Sequence, residues 1–497
     1  MSDDKKQQIV SSVPQTGFIG HPKGLFTLFF TEFWERFSYY GMRAILVYYM
    51  YYETSRGGLG IDRNTALAIM SIYGSLVYMS GIIGGWLSDR VFGNSKAVFY
   101  GGILIMLGHI VLAIPGNVTL FFISMFLIII GTGLLKPNVS SMVGEIYREN
   151  DHRRDAGFSI FYTGINLGAF LAPLVVGTVG MKISFHFGFA LAAIGMFLGL
   201  LVYISTRKTN LGLAGTFVVN PLPPDEKKKL MTRFSIAFVI LLTILAITIP
   251  TGMLTFNVFK GIIGILGILI PTLYFIVMYR SPKTSAVERS RILAYIPLFI
   301  ASVMFWAIEE QGSTILASFA DRRTKLDFAG IHLSPAWFQS LNPLFIIVFA
   351  PIFAWLWVRL GNRQPSIPTK FSLGLLFAGL SFLVILLPAF IGGSASLVNP
   401  LWLVLSYFLV VIGELCLSPV GLSATTKLAP TAFLAQTMSL WFLSNAGAQA
   451  INAQIVKFYR EDTEMLYFGV IGVLALVLSG ILFLLTPKIL GYMKGVR

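Results

Sequence analysis

Glu32, Glu35, Arg36 and Arg43 stand inside an apolar run that begins at Leu25 and continues through Tyr49. Relative to Glu32, the polar residues Glu35, Arg36, Tyr39, Tyr40 and Arg43 fall at +3, +4, +7, +8 and +11. At 100° per residue they share an arc of about 140° on a helix, with Phe33, Trp34 and Phe37 on the other side. Two carboxylates and two guanidiniums then line one face and balance in charge. A charged side chain at mid-bilayer costs on the order of 3 kcal/mol, so four of them turn away from lipid. Such a face is either an ion-paired glue between helices or a functional intramembrane cluster. The glue accounts for one pair better than for two, and it leaves Tyr39 and Tyr40 without a role.

Other ionisable or amide side chains interrupt apolar segments in the same way. Lys136 is followed by Pro137, which lacks an N–H and frees backbone carbonyls beside an ammonium. The Gly131-Thr-Gly133 before it follows no strand, so it is no nucleotide loop. Asn166 is an amide that serves equally as a helix-packing hydrogen bond or a solute contact. Glu309 and Glu310 follow Trp306, and adjacent residues point about 100° apart, so the two carboxylates face different neighbours. Asn342 precedes Pro343, and Glu414 is alone in its segment, five residues before Pro419. An isolated acid there is neutral unless a cation meets it, and a solute ammonium would serve. Asp89-Arg90 follows Gly84-Gly85 at the end of an apolar segment, where small residues let helices approach and the pair either bridges to a helix end or is a plain surface ion pair.

The elements that carry these residues are membrane spans. The 497 residues are 56% hydrophobic and 12% charged, against about 25% charged in a soluble domain. Fourteen apolar segments are expected to be helices, from 24–53 through 234–250, 261–279 and 371–391 to 464–487. With the N-terminus inside, most of the 37 Lys and Arg fall in alternate loops, which puts both termini in the cytoplasm. The distribution of the basic residues, more than their sum, orients the chain in a bilayer, so the net charge of +15 does not imply nucleic acid. The stretch from Thr206 to Arg233 has linker composition, Pro221-Leu-Pro223-Pro224 followed by Asp-Glu-Lys-Lys-Lys. The expected division is a cytoplasmic tail at 1–23, a six-helix bundle at 24–205, a linker and two-helix insert at 206–290, a second six-helix bundle at 291–487 and a tail at 488–497. Residues 1–22 lack the apolar core of a signal peptide. The single Cys416 excludes a disulfide framework, and five scattered histidines show no metal spacing. No His-Glu-x-x-His or Gly-x-Ser-x-Gly is present, so neither an enzyme nor a cofactor is expected. Asn117-Val-Thr119 is a glycosylation sequon by pattern only.

The string Glu32-x-x-Glu35-Arg36-Phe37-x-Tyr39-Tyr40-Gly41 resembles the first-helix signature of the proton-dependent oligopeptide transporter family, a branch of the major facilitator superfamily. Gly84 to Gly93, Gly131 to Asn138, Phe158 to Gly168 and Phe305 to Gln311 resemble further signatures of that family, in the expected order. At the end of the last motif the family commonly has Tyr-Glu-Gln, where this chain reads Ile308-Glu309-Glu310-Gln311. The resemblance implies an all-α membrane protein with the major facilitator fold, two six-helix bundles and no cofactor. It implies that Lys136 lines a central cavity and pairs with a helix-seven glutamate or the peptide carboxylate, that Arg36 and Arg43 also receive that carboxylate, and that Glu310 is the gate partner of Arg43 and Lys136. Asn166, Asn342 and Glu414 are then assigned to the peptide amino terminus. Tyr39, Tyr40, Tyr78, Trp306 and Trp441 become pocket walls, although a tryptophan is more often plain packing. Asp89, Arg90 and Glu309 become gating residues.

The activity implied is proton-coupled import of di- and tripeptides by alternating access, in a bacterial cytoplasmic membrane. A dipeptide is a zwitterion, and a cationic end (Arg36, Arg43, Lys136) opposed to an anionic end (Glu414) selects for a backbone with both termini free. If the peptide carboxylate competes with Glu310 or Glu32 for those cations, the displaced glutamate takes up a proton more readily, and the two binding events reinforce each other. Glu32, Glu35 and Glu310 are the coupling candidates. Nitrate, a drug or another small anion is the alternative substrate on the same architecture. A channel is disfavoured by the Gly- and Pro-broken helices and the two-halves layout.

Overall fold

The computed structural model describes residues 3–148, 151–248, 251–388 and 397–496. In chain order its helices are α1 (Asp3–Ser12), α2 (Gly24–Tyr51), α3 (Arg63–Leu87), α4 (Asn94–Ala113), α5 (Val118–Glu145), α6 (Arg154–Lys182), α7 (Phe185–Thr206) and α8 (Pro224–Thr248). They continue with α9 (Phe256–Arg280), α10 (Ala286–Glu309), α11 (Ile315–Arg322), α12 (Leu341–Leu360), α13 (Ile367–Leu383), α14 (Pro400–Leu428), α15 (Leu434–Ile455) and α16 (Glu464–Met493). Among the described residues 12 helical spans are long and apolar enough to cross a membrane. Two more have the length but not the apolarity: α2 carries the four charges, and α15 carries Asn445, Gln449 and Asn452. Of the expected spans, residues 249, 250 and 389–391 lie outside the described residues.

Local chemistry sets where these helices begin. Asn117 caps α5 by accepting from the N–H of Thr119 at 3.0 Å and Leu120 at 3.3 Å, so the sequon has a structural explanation. Ser285 and Glu288 form a reciprocal capping box at the start of α10. The Asp-Glu-Lys-Lys-Lys run reads as linker by composition, yet it is the first turns of α8, with Asp225 and Glu226 near the positive helix N-terminus. α10 ends at Glu309, and a tighter turn, Glu310–Ser313, leads into α11, so the expected span 291–319 is an interrupted helix. After α11, Asp327–Phe328 pairs antiparallel with Ile331–His332 around an Ala329-Gly330 turn, both at positive φ.

Two compact units divide the chain, and their limits cut through helices. The first comprises residues 1–38, 79–168 and 190–263. Its core packs Leu25 and Leu28 of α2 against Ile105, Leu135, Val139 and Tyr203. The stretch expected to be a polar tail adds to that core, because α1 and the turn after it bury Ile9 and Val13. Ser12 Oγ accepts from the N–H of Leu213 at 2.8 Å, which ties this segment to the loop after α7. α4 and α5 touch backbone to backbone at Gly101 and Gly131, where a Cβ would lie 2.7 Å from the opposite carbonyl.

The second unit comprises residues 39–78, 169–189 and 264–497. α13 contacts α14 through Gly374 and Gly413, and α16 through Gly379 and Gly472. Phe319, Phe382 and Phe468 form edge-on ring pairs at 5.8 and 5.1 Å between centroids. In both units large apolar side chains point outward, among them Val239, Ile265 and Leu484 at 60, 64 and 78% exposure. Lipid is the environment that covers such faces.

Candidate functional site

Three of the four charges of α2 meet in the first unit. Glu32, Glu35 and Arg36 are 2, 0 and 2% exposed. Arg36 Nε lies 3.0 Å from Glu32 Oε1, and the same guanidinium pairs with Glu35. The i, i+4 spacing makes the first contact a local product of the helix. Two carboxylates against one guanidinium leave a negative excess, which the charge of Lys136 on α5 helps to offset at Glu32. No donor among the described residues reaches Glu32 Oε2 or Glu35 Oε1, both buried. The remaining lone pairs can therefore take a proton.

α6 lies against this cluster through its small residues. A Cβ on Gly168 would collide with the Phe33 carbonyl and sit 3.2 Å from Arg36 Cβ, and one on Gly164 would sit 2.8 Å from the Phe29 ring. Asn166, between them, is 6% exposed, and its Nδ2 donates to the Tyr162 carbonyl at 3.0 Å. At Asp89-Arg90 the chain makes a wide turn, Ser88–Phe92, whose backbone carbonyls accept from Asn220 at 3.0 Å and Leu222 at 3.3 Å. Among the described residues neither side chain makes an ion pair. The motif's fixed contact is its glycine, since a Cβ on Gly84 would overlap the Gly133 carbonyl of α5.

The fourth charge of α2 belongs to the second unit. Arg43 pairs with Glu310 and donates to Ser313 Oγ at 2.8 Å. Tyr78 donates to Glu310 Oε1 at 2.8 Å, and Gln449 Nε2 donates to Oε2 at 2.7 Å. The break after Glu309 turns the two adjacent glutamates to different partners. Glu309 Oε1 and Glu414 Oε2 both accept from Asn342 Nδ2, each at 3.2 Å. Trp306 and Trp441 stand edge to face at 6.4 Å, and Trp441 fits over Gly421, where no side chain has room. Tyr39 stacks on Tyr73 at 6.5 Å and meets Tyr40 edge-on at 5.3 Å.

The residues singled out in the sequence thus assemble as Glu32, Glu35 and Arg36 in one unit, and as Arg43–Glu310–Tyr78 and Glu309–Asn342–Glu414 in the other. Glu309, grouped with Asp89 and Arg90 as gating, sits with Glu414 and Asn342. Gln449 and Ser313 were not anticipated. The signal for Gln449 was the amide spacing on α15, since Asn445, Gln449 and Asn452 at i, i+4 and i+7 share a helix face. Asn452 and Gln449 flank the same turn from that face: Gln311 Nε2 donates to Asn452 Oδ1 at 3.2 Å, and Tyr467 donates to Gln311 Oε1 at 2.9 Å. Asp321 was also unforeseen, and it accepts from Tyr51 and Tyr52, each at 2.7 Å.

Known proteins share this architecture over the whole chain. A crystal structure of a peptide transporter POT in complex with sulfate is 72% identical, with a TM-score of 0.97 and 99% of each chain covered. The uncharacterized transporter YclF of Bacillus subtilis (strain 168) is 62% identical over 496 residues, 100% of both chains. A di-/tripeptide transporter of Lactococcus lactis subsp. cremoris is 47% identical over 487 residues, 97% of this chain and 98% of its own. The expected all-α membrane fold of the major facilitator type is the one these neighbours share. Residues 95–474 match the model described as POT family, and the chain belongs to that transporter family.

Proposed function

We propose that this protein is a proton-coupled symporter that imports di- and tripeptides by alternating access. The observation that carries the reading is the Arg43–Glu310 pair, a cation held by a carboxylate that a peptide carboxylate can replace. Replacement takes the guanidinium away from Glu310, and a proton then substitutes for the lost charge. Glu32 and Glu35 have the same character around Arg36, each with an oxygen that no donor among the described residues reaches. The similarity to the Lactococcus di-/tripeptide transporter supports the substrate class.

In this reading Arg36, Arg43 and Lys136 receive the peptide carboxylate, and Glu32, Glu35 and Glu310 are the proton-coupling groups. Glu414, Asn342 and Asn166 receive the peptide ammonium. Glu309 joins them, since one amide already bridges the two glutamates. Tyr39, Tyr40, Tyr78, Trp306 and Trp441 form walls for the side chains, and Asp89 and Arg90 act in gating through the turn they occupy. The protein works as a transporter without catalysis, across fourteen spans with both termini in the cytoplasm of a bacterial cell. The proposed domain limits are those expected from the sequence, a bundle at 24–205, an insert within 206–290 and a bundle at 291–487.

Uptake of labelled dialanine into proteoliposomes, with an inward proton gradient and with the gradient collapsed, tests the proposal. Accumulation that vanishes on collapse supports symport. Absence of uptake by folded protein under either condition removes the peptide and turns the search to nitrate and other small anions.

A further inference from the structure

The start of α4 and the end of α7 enclose a cavity of about 350 Å³ within the first unit. Lys96, Arg207 and Lys208 line it, and no carboxylate does. Among the described residues none of the three makes an ion pair. Glu145, behind the wall at Gly215, is already engaged by the Gly215 N–H at 2.7 Å and Asn94 Nδ2 at 2.6 Å. Of the hydroxyls in the lining, Ser95 is committed to Tyr203 at 2.9 Å and Thr216 to the Leu213 carbonyl at 2.7 Å, while half-exposed Tyr100 offers a neutral hydroxyl beside the cations. Recognition in this cavity therefore rests on three cations, and their mutual repulsion is relieved by an anion.

Two features set the kind of anion. The wide turn Arg207–Leu211 brings two of the cations to the cavity, and the Arg207 guanidinium lies over the Phe99 ring at 5.6 Å. Tyr100, Leu201 and Ile204 on the same helix ends are 51, 51 and 50% exposed, an apolar surface beside a charged pocket. Aromatic residues next to cations mark the level of lipid headgroups, and Thr206 to Arg233 is the longest basic connection. We propose that this cavity holds the phosphodiester headgroup of an anionic phospholipid from the leaflet facing that connection, with an acyl chain along Tyr100, Leu201 and Ile204.

The test is native mass spectrometry of the full chain in detergent, titrated with phosphatidylglycerol or phosphatidylcholine. Wild type should prefer the anionic lipid by about tenfold or more. Lys96→Gln/Arg207→Gln/Lys208→Gln should lose that preference, whereas Lys227→Gln/Lys228→Gln/Lys229→Gln, which removes equal charge from the exposed start of α8, should keep it. Equal loss in both triple variants overturns the proposal, because net charge alone would then explain the preference. Displacement of the lipid by millimolar inorganic phosphate also overturns it, since the occupant would be a free anion. A photoactivatable phosphatidylglycerol on wild-type protein removes the dependence on the variants folding. Crosslinks should fall within residues 95–100 and 201–216, and labelling confined to other segments refutes the site.

Discussion

Replacing Gln449 by Met removes one donor from Glu310 and keeps the length of the side chain. Gln449 crosses Gly74, where a Cβ would come within 2.6 Å of Nε2, so the unbranched thioether follows the same path and a branched side chain does not. The lost bond runs at 2.7 Å to a buried carboxylate that also holds Arg43. A hydrogen bond to a charged group contributes about 1.5–3 kcal/mol, and 2 kcal/mol is about a 30-fold change in an equilibrium. That bond fixes the carboxylate where Arg43 reaches it, so Gln449→Met should weaken by up to that factor the arrangement in which Arg43 of α2 is held at the break after α10. Arg43→Met should do more, about 3–5 kcal/mol, because it strands the carboxylate. The assay is double electron–electron resonance between spin labels at Ser55, in the short turn after α2, and Ile331, in the hairpin after α11, both exposed positions of the second unit. The long-distance population should rise in the order wild type, Gln449→Met, Arg43→Met. A distribution for Gln449→Met that matches wild type while Arg43→Met broadens would show that Gln449 contributes nothing to the latch.

Glu32→Gln should abolish accumulation driven by a pH gradient and leave counterflow exchange intact; normal gradient-driven uptake would remove Glu32 from the coupling set. Gly84→Ala forces a methyl into the Gly133 carbonyl, so α3 and α5 must separate at a cost of about 1–3 kcal/mol, read as a fall in Tm of the purified protein. His21 lies before α2, with Nδ1 2.9 Å from Tyr147 Oη, and burial, then Arg153, hold its pKa below 6.5, with Asp151 opposing. The folded state then binds fewer protons than the unfolded one, so stability contributed here is present above pH 6.5 and falls as the pH drops through the lowered value. The protection of residues 13–23 against hydrogen exchange, corrected for the intrinsic pH dependence of the exchange rate, should fall as the pH drops from 7.5 to 5.5 in wild type and stay flat in His21→Gln. An unchanged pH response in that variant assigns the effect elsewhere.

The local clusters were legible in the sequence and the long-range ones were not, for a physical reason. Glu32, Glu35 and Arg36 sit within one helical turn, so their spacing alone brings them together. The bond from Gln449 to Glu310 joins residues 139 positions apart, and no periodicity encodes it. Arg43 and Glu310 were paired only by family resemblance. α1 is hard to read from sequence because its ten residues are mostly polar, and its buried apolar side chains are Ile9 and Val10, joined just after the helix by Val13. The hairpin at Asp327–His332 escaped because Ala329 at φ 52° is a poor turn former, and only Gly330 signalled it. The start of α8 reads as linker because charge and proline mark loops and first helical turns alike.

Glu309 and Glu310 are neighbours on one backbone, so their Cα atoms are about 3.8 Å apart. One answers to Asn342 and Glu414, the other to Arg43, Tyr78 and Gln449. The boundary between α10 and the turn Glu310–Ser313 falls at the peptide bond that joins them. Swinging that bond to tighten one carboxylate in its cradle twists the other in its own. Two sets of partners drawn from α2, α3, α12, α14 and α15 are thereby geared together through one peptide bond, without a relay of intervening side chains. A substitution that stiffens Gln311 or Gly312 would therefore disturb both cradles at once, although it touches neither carboxylate.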